Sequence, residues 1–147
     1  MFRLDTVITA TEAKQINPVV LAFVGDAVYS LYVRERLVLT GGGKASEYQR
    51  AASKIVSAEG QSEFFSVIEP MLTEEEQEIY KRGRNAKKGA KSKNASALSY
   101  NRSTGFEALL GYLYLTGQRD RVDELLSYAD ESLFQAIKSV QAYKPTH

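Results

Sequence analysis

The segment at residues 22–33, AFVGDAVYSLYV, holds a single carboxylate inside an otherwise apolar run. Asp26 is the only charged residue between Gln15 and Arg34, so the run does not read as a helix with a solvated polar face. An unpaired carboxylate in an apolar environment costs several kcal/mol or becomes protonated. The segment therefore predicts that Asp26 has a cation, a hydrogen-bond network or a functional use.

Helix signals recur along the chain, whereas strand signals are scarce. We predict an all-α fold of about six or seven helices, forming one domain over residues 1–147 without internal repeats. The first long helix is expected to begin at Asn17 and Pro18 and to end near Leu39. Further helices are expected at about residues 44–58, 60–68 and 119–142, and from Thr73, where TEEE supplies a capping box, with a mobile loop at residues 83–98.

A second apolar helix, GFEALLGYLYLTG at residues 105–117, also carries one carboxylate, Glu107. Ser103 or Thr104 is expected to cap this helix at its N-terminus. The residues alone leave a structural role open for each acid. Asp26 could be a buried acid paired with an arginine or a helix N-terminus, and Glu107 could be a capping-box glutamate.

One divalent ion would satisfy both carboxylates. Oxygen ligands favour Mg²⁺ or Mn²⁺, and such an ion stabilises the attacking and leaving oxygens of phosphodiester hydrolysis. Gly25 and Gly111 lie inside the two helices, where each costs about 1 kcal/mol relative to alanine. Close approach of the helices beside the carboxylates would offset that cost, and tight packing alone is an equally good account.

Positive charge is concentrated in one stretch, although the whole chain has a net charge of only +1. Residues 81–93, KRGRNAKKGAKSK, hold no acidic residue and seven basic ones: Lys81, Arg82, Arg84, Lys87, Lys88, Lys91 and Lys93. A basic, glycine-containing loop without aromatic residues suits contact with phosphates, as in the shape-based recognition of duplex RNA. A merely solvated loop is the alternative.

Several classes of function are excluded or disfavoured. The chain has no cysteine, which excludes a disulfide framework and a thiolate metal site and fits a reducing compartment. Its one histidine, His147, excludes catalysis by paired histidines. Residues 41–43 lack the ending of a phosphate-binding P-loop, and the N-terminus lacks the apolar region of a secretory signal. We therefore expect a soluble, cytoplasmic protein without a membrane partner.

The two carboxylate-bearing segments resemble the motifs of a known family. LAFVGDAVYSLYVRERL, at residues 21–37, resembles the signature helix of the ribonuclease III endonuclease domain, and residues 105–117 resemble that family's second metal-binding helix, with Glu107 matching its glutamate. The chain is most similar to the short bacterial form, the Mini-ribonuclease III group, in which no double-stranded-RNA-binding domain follows.

The resemblance implies a ribonuclease III fold and a homodimer that cuts both strands of double-stranded RNA, leaving 5′ phosphates. Asp26 and Glu107 would be the catalytic and metal-binding residues, with Mg²⁺ as cofactor and Mn²⁺ as a substitute. The apolar and aromatic surfaces of both helices agree with a dimer interface, and a large monomer core is an equal alternative. Maturation of the large-subunit (23S) ribosomal RNA precursor is the expected role, with a ribosomal protein or the assembling large subunit as a candidate partner.

The chain departs from the larger family at three acidic positions, where it has Val19, Ala22 and Thr104. The reduced cluster is typical of the short form, and Glu63 is a candidate for a further ligand. The departure also supports an alternative, a non-catalytic RNA-binding protein of ribosome assembly with a degenerate site. A purely structural dimerisation domain is a third reading, which leaves the basic stretch without a role.

Overall fold

The computed structural model describes residues 6–40, 42–86 and 95–142, and these residues are almost entirely helical. Seven helices have eight residues or more, and a five-residue helix, α1, precedes them. The helices are α1 Ala10–Lys14, α2 Pro18–Thr40, α3 Ala45–Val56, α4 Ala58–Ile68, α5 Glu74–Arg84, α6 Ala95–Leu115, α7 Arg119–Leu126 and α8 Asp130–Ala142. The described residues contain no β-strand, so the all-α prediction is confirmed.

The helix starts follow from local capping chemistry. The Asn17 side chain accepts a hydrogen bond from the Val19 amide at 2.8 Å, and Pro18 occupies the first position of α2, as predicted. Thr73 and Glu76 form the predicted capping box of α5. A second capping box, between Thr9 and Glu12, starts α1, which was not predicted from the sequence.

Helix α6 is the centre of the fold, because α2, α4 and α5 all pack against it. Its C-terminal half is buried over most of the helix circumference, with Phe106, Leu109, Leu110 and Leu113 fully inaccessible to solvent and Glu107 and Tyr114 partly exposed. A helix that is apolar on every side requires neighbours on every side. The all-round apolar character of α6 is therefore explained within one chain.

The last predicted helix, at residues 119–142, is divided in the structure. Helix α7 ends at Leu126, a 3-10 turn follows at Ser127–Ala129, and α8 begins at Asp130. The Ser127 hydroxyl donates to the Glu124 carbonyl at 2.7 Å, and such back-bonding bends helices. One apolar stripe continues across the break, since Leu125, Ala129 and Leu133 are all buried.

The predicted loop at residues 83–98 is partly wrong. Gly83 and Arg84 belong to α5, residues 95–98 belong to α6, and residues 87–94 lie outside the described part of the chain. Gly83 is buried because it lets α5 approach α6: a β-carbon there would lie 2.7 Å from the Ala108 β-carbon. This glycine serves close packing and not loop flexibility.

Glu76 connects α5 to α7 through a two-pronged ion pair. Arg121 Nε and Nη2 each donate to the Glu76 carboxylate at 2.9 Å, and Nη2 also donates to the Met71 carbonyl at 2.9 Å. Burial of Glu76 favours its neutral form, but the hydrogen bonds from Arg121 and Thr73 outweigh this and hold its pKa below the ordinary value.

Among the described helices, none is long and apolar enough to span a membrane.

Candidate metal and nucleic-acid site

Two glycines bring α2 and α6 into backbone contact. A β-carbon on Gly25 would lie 1.7 Å from the Glu107 carbonyl oxygen, and one on Gly111 would lie 2.0 Å from the Leu21 carbonyl oxygen. No side chain fits at either position, which explains why glycine stands inside both helices despite its cost. The predicted close approach of the two helices is therefore present in the structure.

This contact places the residues that carry the two carboxylates on adjoining turns. Asp26 directly follows Gly25, and Glu107 supplies the backbone oxygen that Gly25 touches. The two acids are 81 residues apart in the sequence, and the helix crossing is what brings them into the same region of the fold.

Asp26 is exposed in the single chain, so the alternative that it is a buried acid paired with an arginine or a helix N-terminus is wrong. The described residues include no hydrogen-bond or ion-pair partner for its carboxylate. The apolar run misled because the exposed face of α2 is itself apolar: Val20 is 53%, Phe23 81% and Leu31 68% exposed. Asp26 lies three residues after Phe23, at the edge of that face.

Glu107 is half-buried and is contacted by an amide from α4. Gln61 Nε2 donates to Glu107 Oε2 at 3.4 Å and to the Val56 carbonyl at 3.0 Å. Sequence reasoning missed Gln61. Its spacing from Phe64, Phe65 and Ile68 places it on the buried stripe of α4, and a glutamine on such a stripe is the signal that could have identified it.

The alternative role of Glu107 as a capping-box residue is wrong, because α6 starts at Ala95 and not near residue 103. Ser103 and Thr104 lie within the helix and are buried. Both hydroxyls donate backwards to the Tyr100 carbonyl, at 2.8 Å and 3.0 Å. Thr104, which stands where the larger family has an aspartate, thus satisfies its hydroxyl within the helix.

Glu63 does not join the two carboxylates. It is exposed and lines a groove between α4 and α8, together with Glu131 and Gln135. Gln61 and Glu63 are two positions apart, which places them on opposite sides of α4. No group of three or more Asp, Glu, His or Cys side chains suited to a metal ion occurs among the described residues.

The described part of the basic stretch includes the C-terminal end of α5, which packs against α6 near Glu107. Gly83 packs against Thr104 and Gly105, only a few residues before Glu107. Lys81 and Arg82 are exposed, and Arg82 Nη2 donates to the carbonyl of Lys14 at 3.0 Å. Arg82 therefore has a structural contact besides any role in binding.

Of the other five basic residues, Arg84 makes contacts in the structure, and four lysines are not described. Arg84 Nε donates to Asn85 Oδ1 at 3.1 Å, and its guanidinium lies 5.6 Å from the centroid of the Tyr80 ring. Lys87, Lys88, Lys91 and Lys93 lie outside the described residues, so their predicted contact with RNA stays a prediction.

The chemistry of the donor atoms at the crossing suits a divalent cation. It offers an exposed carboxylate without a protein partner among the described residues and a half-buried carboxylate approached by an amide donor. Carboxylate oxygens are the ligands that Mg²⁺ and Mn²⁺ prefer, and Mg²⁺ commonly takes one or two of them while keeping water and substrate oxygens. Asp26 and Glu107 are the residues that would hold such an ion.

Comparison with known proteins gives a consistent result. The model of the ribonuclease III domain matches residues 19–118, which include both Asp26 and Glu107. Mini-ribonuclease 3 of Streptococcus pneumoniae is 47% identical over 115 residues, covering 77% of this chain and 90% of that protein. Mini-ribonuclease 3 of Staphylococcus aureus is 39% identical over 116 residues, covering 78% and 87%. A crystal structure of a Fusobacterium nucleatum protein, 25% identical, matches with a TM-score of 0.68 over 78% of this chain and 93% of that one.

Proposed function

The chain belongs to the ribonuclease III family of endoribonucleases, and from this premise we propose that it is a metal-dependent enzyme that cleaves double-stranded RNA and leaves 5′ phosphates. The observation that carries the proposal is the backbone contact at Gly25, which brings together the helices of Asp26 and Glu107. Members of the family generally use divalent metal ions, and double-stranded RNA is the substrate class that membership implies.

Asp26 and Glu107 are proposed as the catalytic residues that hold Mg²⁺, with Mn²⁺ as a substitute. The bound ion would supply charge stabilisation for the attacking and leaving oxygens of the phosphodiester. The exposure of Asp26 supports this role, because a ligand that also meets substrate phosphate has to face solvent in the free protein. Two carboxylates leave the remaining coordination positions to water and RNA.

The basic stretch is proposed to hold the RNA backbone. Lys81 and Arg82 are exposed at the end of α5, and the packing of Gly83 on Gly105 sets that end close to the segment of α6 that carries Glu107. Arg84 and the four lysines at positions 87, 88, 91 and 93 extend the positive charge in sequence. Contact with phosphates would give affinity without base specificity.

We propose a homodimer that forms through α2. Four residues at helical spacing, Val20, Phe23, Ala27 and Leu31, form an exposed apolar stripe on this helix. Phe23, at 81% exposure, is an unusual surface residue for a monomer. The tyrosines Tyr29, Tyr32 and Tyr112 are buried within the chain and do not contribute to this stripe.

The physiological substrate is proposed to be the precursor of large-subunit (23S) ribosomal RNA, with a ribosomal protein or the assembling large subunit as a partner. The proposal rests on the similarity to proteins named Mini-ribonuclease 3. A single endonuclease domain over residues 1–147, acting in the cytoplasm, belongs to the same proposal.

A non-catalytic RNA-binding protein of ribosome assembly is the second candidate. It is favoured by one observation, the lack of a third metal-ligating side chain near Asp26 and Glu107 among the described residues. It predicts binding of duplex RNA without cleavage under any metal condition.

Incubation of a long RNA duplex with the purified protein, with and without Mg²⁺ or Mn²⁺, separates the two candidates. We expect metal-dependent cutting by the wild type, products with 5′ phosphates, and no cutting by Asp26→Asn. Asp26 is exposed, so this variant should keep its unfolding free energy within about 0.5 kcal/mol of the wild type. Binding without cleavage by the wild type would contradict the proposed enzymatic activity and favour the non-catalytic assembly protein.

A further inference from the structure

We infer that Gln61 is a positioning residue that orients the Glu107 carboxylate for metal binding, an inference that rests on the proposed function of that carboxylate. Gln61 is only 2% exposed, although glutamine is usually a surface residue. Its amide nitrogen reaches both a backbone carbonyl and Glu107. An outer-shell donor of this kind restricts the orientation of a carboxylate that holds a metal ion.

The amide is anchored at one end by the terminus of another helix. Val56 is the last residue of α3, and its carbonyl accepts from Gln61 Nε2 at 3.0 Å. The final carbonyls of a helix lack partners within it, so this hydrogen bond satisfies one of them. With one hydrogen of the NH₂ group used here, the other remains for Glu107 Oε2 at 3.4 Å.

The second polar atom of the same amide is unsatisfied. Gln61 Oε1 is buried and has no hydrogen-bond partner among the described residues. Buried polar atoms of native proteins nearly always have a partner, so an orphaned acceptor beside a candidate metal ligand calls for one. A water molecule held by a bound ion would be a donor of the right chemistry for this acceptor.

The amide suits this position better than a carboxylate of the same size would. A neutral donor supports the charged form of Glu107, whereas a second carboxylate at residue 61 would repel it and raise the pKa of one of the two groups. The residue that the site requires is therefore a buried donor without charge. Gln61 supplies it from α4, a helix that contributes no carboxylate to the crossing.

The test measures metal binding separately from stability and catalysis. Mn²⁺ is titrated calorimetrically into the full-length protein without RNA, for the wild type, Gln61→Met and Ser62→Ala, and melting temperatures are recorded alongside. Gln61→Met keeps the length of the side chain and removes both polar atoms. Ser62 is the matched control, a neighbouring buried polar residue without a hydrogen bond to Glu107 among the described contacts.

We expect Gln61→Met to weaken Mn²⁺ binding about 10-fold, and Ser62→Ala to leave it unchanged. Excess Mn²⁺ should restore RNA cleavage by Gln61→Met but not by Glu107→Gln, because only the second variant has lost a ligand. If Gln61→Met does not fold, Gln61→Asn applies the same test, since its shorter amide keeps the chemistry and loses the reach.

A lower melting temperature of Gln61→Met with wild-type Mn²⁺ affinity would overturn the inference and make Gln61 a structural link between α3 and α4. That result leaves the proposed function standing if the wild type binds Mn²⁺ and cuts RNA. A wild type that neither binds Mn²⁺ nor cuts would overturn the proposed function, and the positioning role with it.

Discussion

Gly25 of α2 touches the backbone of Glu107 so closely that an added β-carbon would lie 1.7 Å from the Glu107 carbonyl oxygen. Because of this contact, replacing the glycine by alanine should destabilise the protein, which is the opposite of the usual effect inside a helix. Alanine inside a helix normally stabilises it by about 1 kcal/mol relative to glycine, but overpacking costs about 1–3 kcal/mol or more. Because the clash involves backbone that cannot rotate away, we expect Gly25→Ala to lower the free energy of unfolding by at least about 2 kcal/mol in urea denaturation.

The same substitution should separate the two carboxylates and abolish cleavage in the fraction that remains folded. Ser139→Gly on the exposed face of α8 is the control, with an expected loss of about 0.5 kcal/mol from helix propensity alone and no loss of cleavage. A Gly25→Ala protein as stable as the wild type would show that α2 and α6 are not in backbone contact.

The sequence was sufficient where local chemistry determines the structure. Asn17 followed by Pro18 starts α2, and Thr73 with Glu76 starts α5, because capping depends on neighbours within a few residues. Gly25 and Gly111 could also be interpreted, since glycine inside a helix has a cost that close packing offsets.

The predictions failed where tertiary packing determines the position of a residue. The exposure of Asp26 depends on which face of α2 meets α6, and an all-apolar helix does not reveal that face. Thr104 has the chemistry of a helix cap, but the chain before it continues as helix through Ala97 and Leu98, which are good helix formers. Gln61 belongs to no recognisable sequence motif, and its contact with Glu107 depends on the packing of α4 against α6.

The exposed stripe of α2 gives a prediction about assembly. Phe23→Glu places a charge on its most exposed apolar residue, which is 81% accessible in the single chain. If this stripe is the dimer interface, burying that charge should cost at least about 2 kcal/mol and raise the dimer dissociation constant roughly 30-fold or more. Sedimentation velocity over a range of protein concentrations measures the change.

Val67→Glu is the matched control for Phe23→Glu, because Val67 is an apolar residue of α4 that is 51% exposed. We expect it to leave the association state unchanged. Equal sedimentation of the wild type and Phe23→Glu at all concentrations would exclude α2 as the interface.

The basic stretch gives a prediction about salt dependence. Replacing Lys87, Lys88 and Lys91 by glutamine should weaken binding to an RNA duplex and reduce the slope of log K against log salt by about 1 for each lysine that contacts a phosphate. Lys138→Gln on α8 is the control, since its ammonium lies 4.7 Å from the Phe134 ring and far in sequence from the stretch. Binding isotherms measured with Asp26→Asn avoid cleavage, and an unchanged slope would remove the lysines from the RNA contact.

The Glu76–Arg121 pair predicts how stability depends on pH. Hydrogen bonds from Arg121 and Thr73 hold the pKa of Glu76 below its ordinary value of 4.5, although burial opposes them. The folded-state pKa is thus lower than the unfolded-state pKa, so the pair contributes fully above about pH 5 and its contribution is lost as the pH falls through the folded-state value. Glu76→Gln should therefore be about 1–3 kcal/mol less stable than the wild type at pH 7, and the difference should shrink below pH 5.

Glu124→Gln is the control for that pH dependence, because Glu124 pairs with the same Arg121 but its side chain is 63% exposed. Exposed pairs contribute about 0–1 kcal/mol, so this variant should be close to the wild type at both pH values. Urea denaturation of the three proteins at pH 7 and near pH 3 makes the comparison. If Glu76→Gln remained less stable than the wild type by the same amount down to pH 3, the loss would have a steric cause. The charge of Glu76 would then not be what joins α5 to α7.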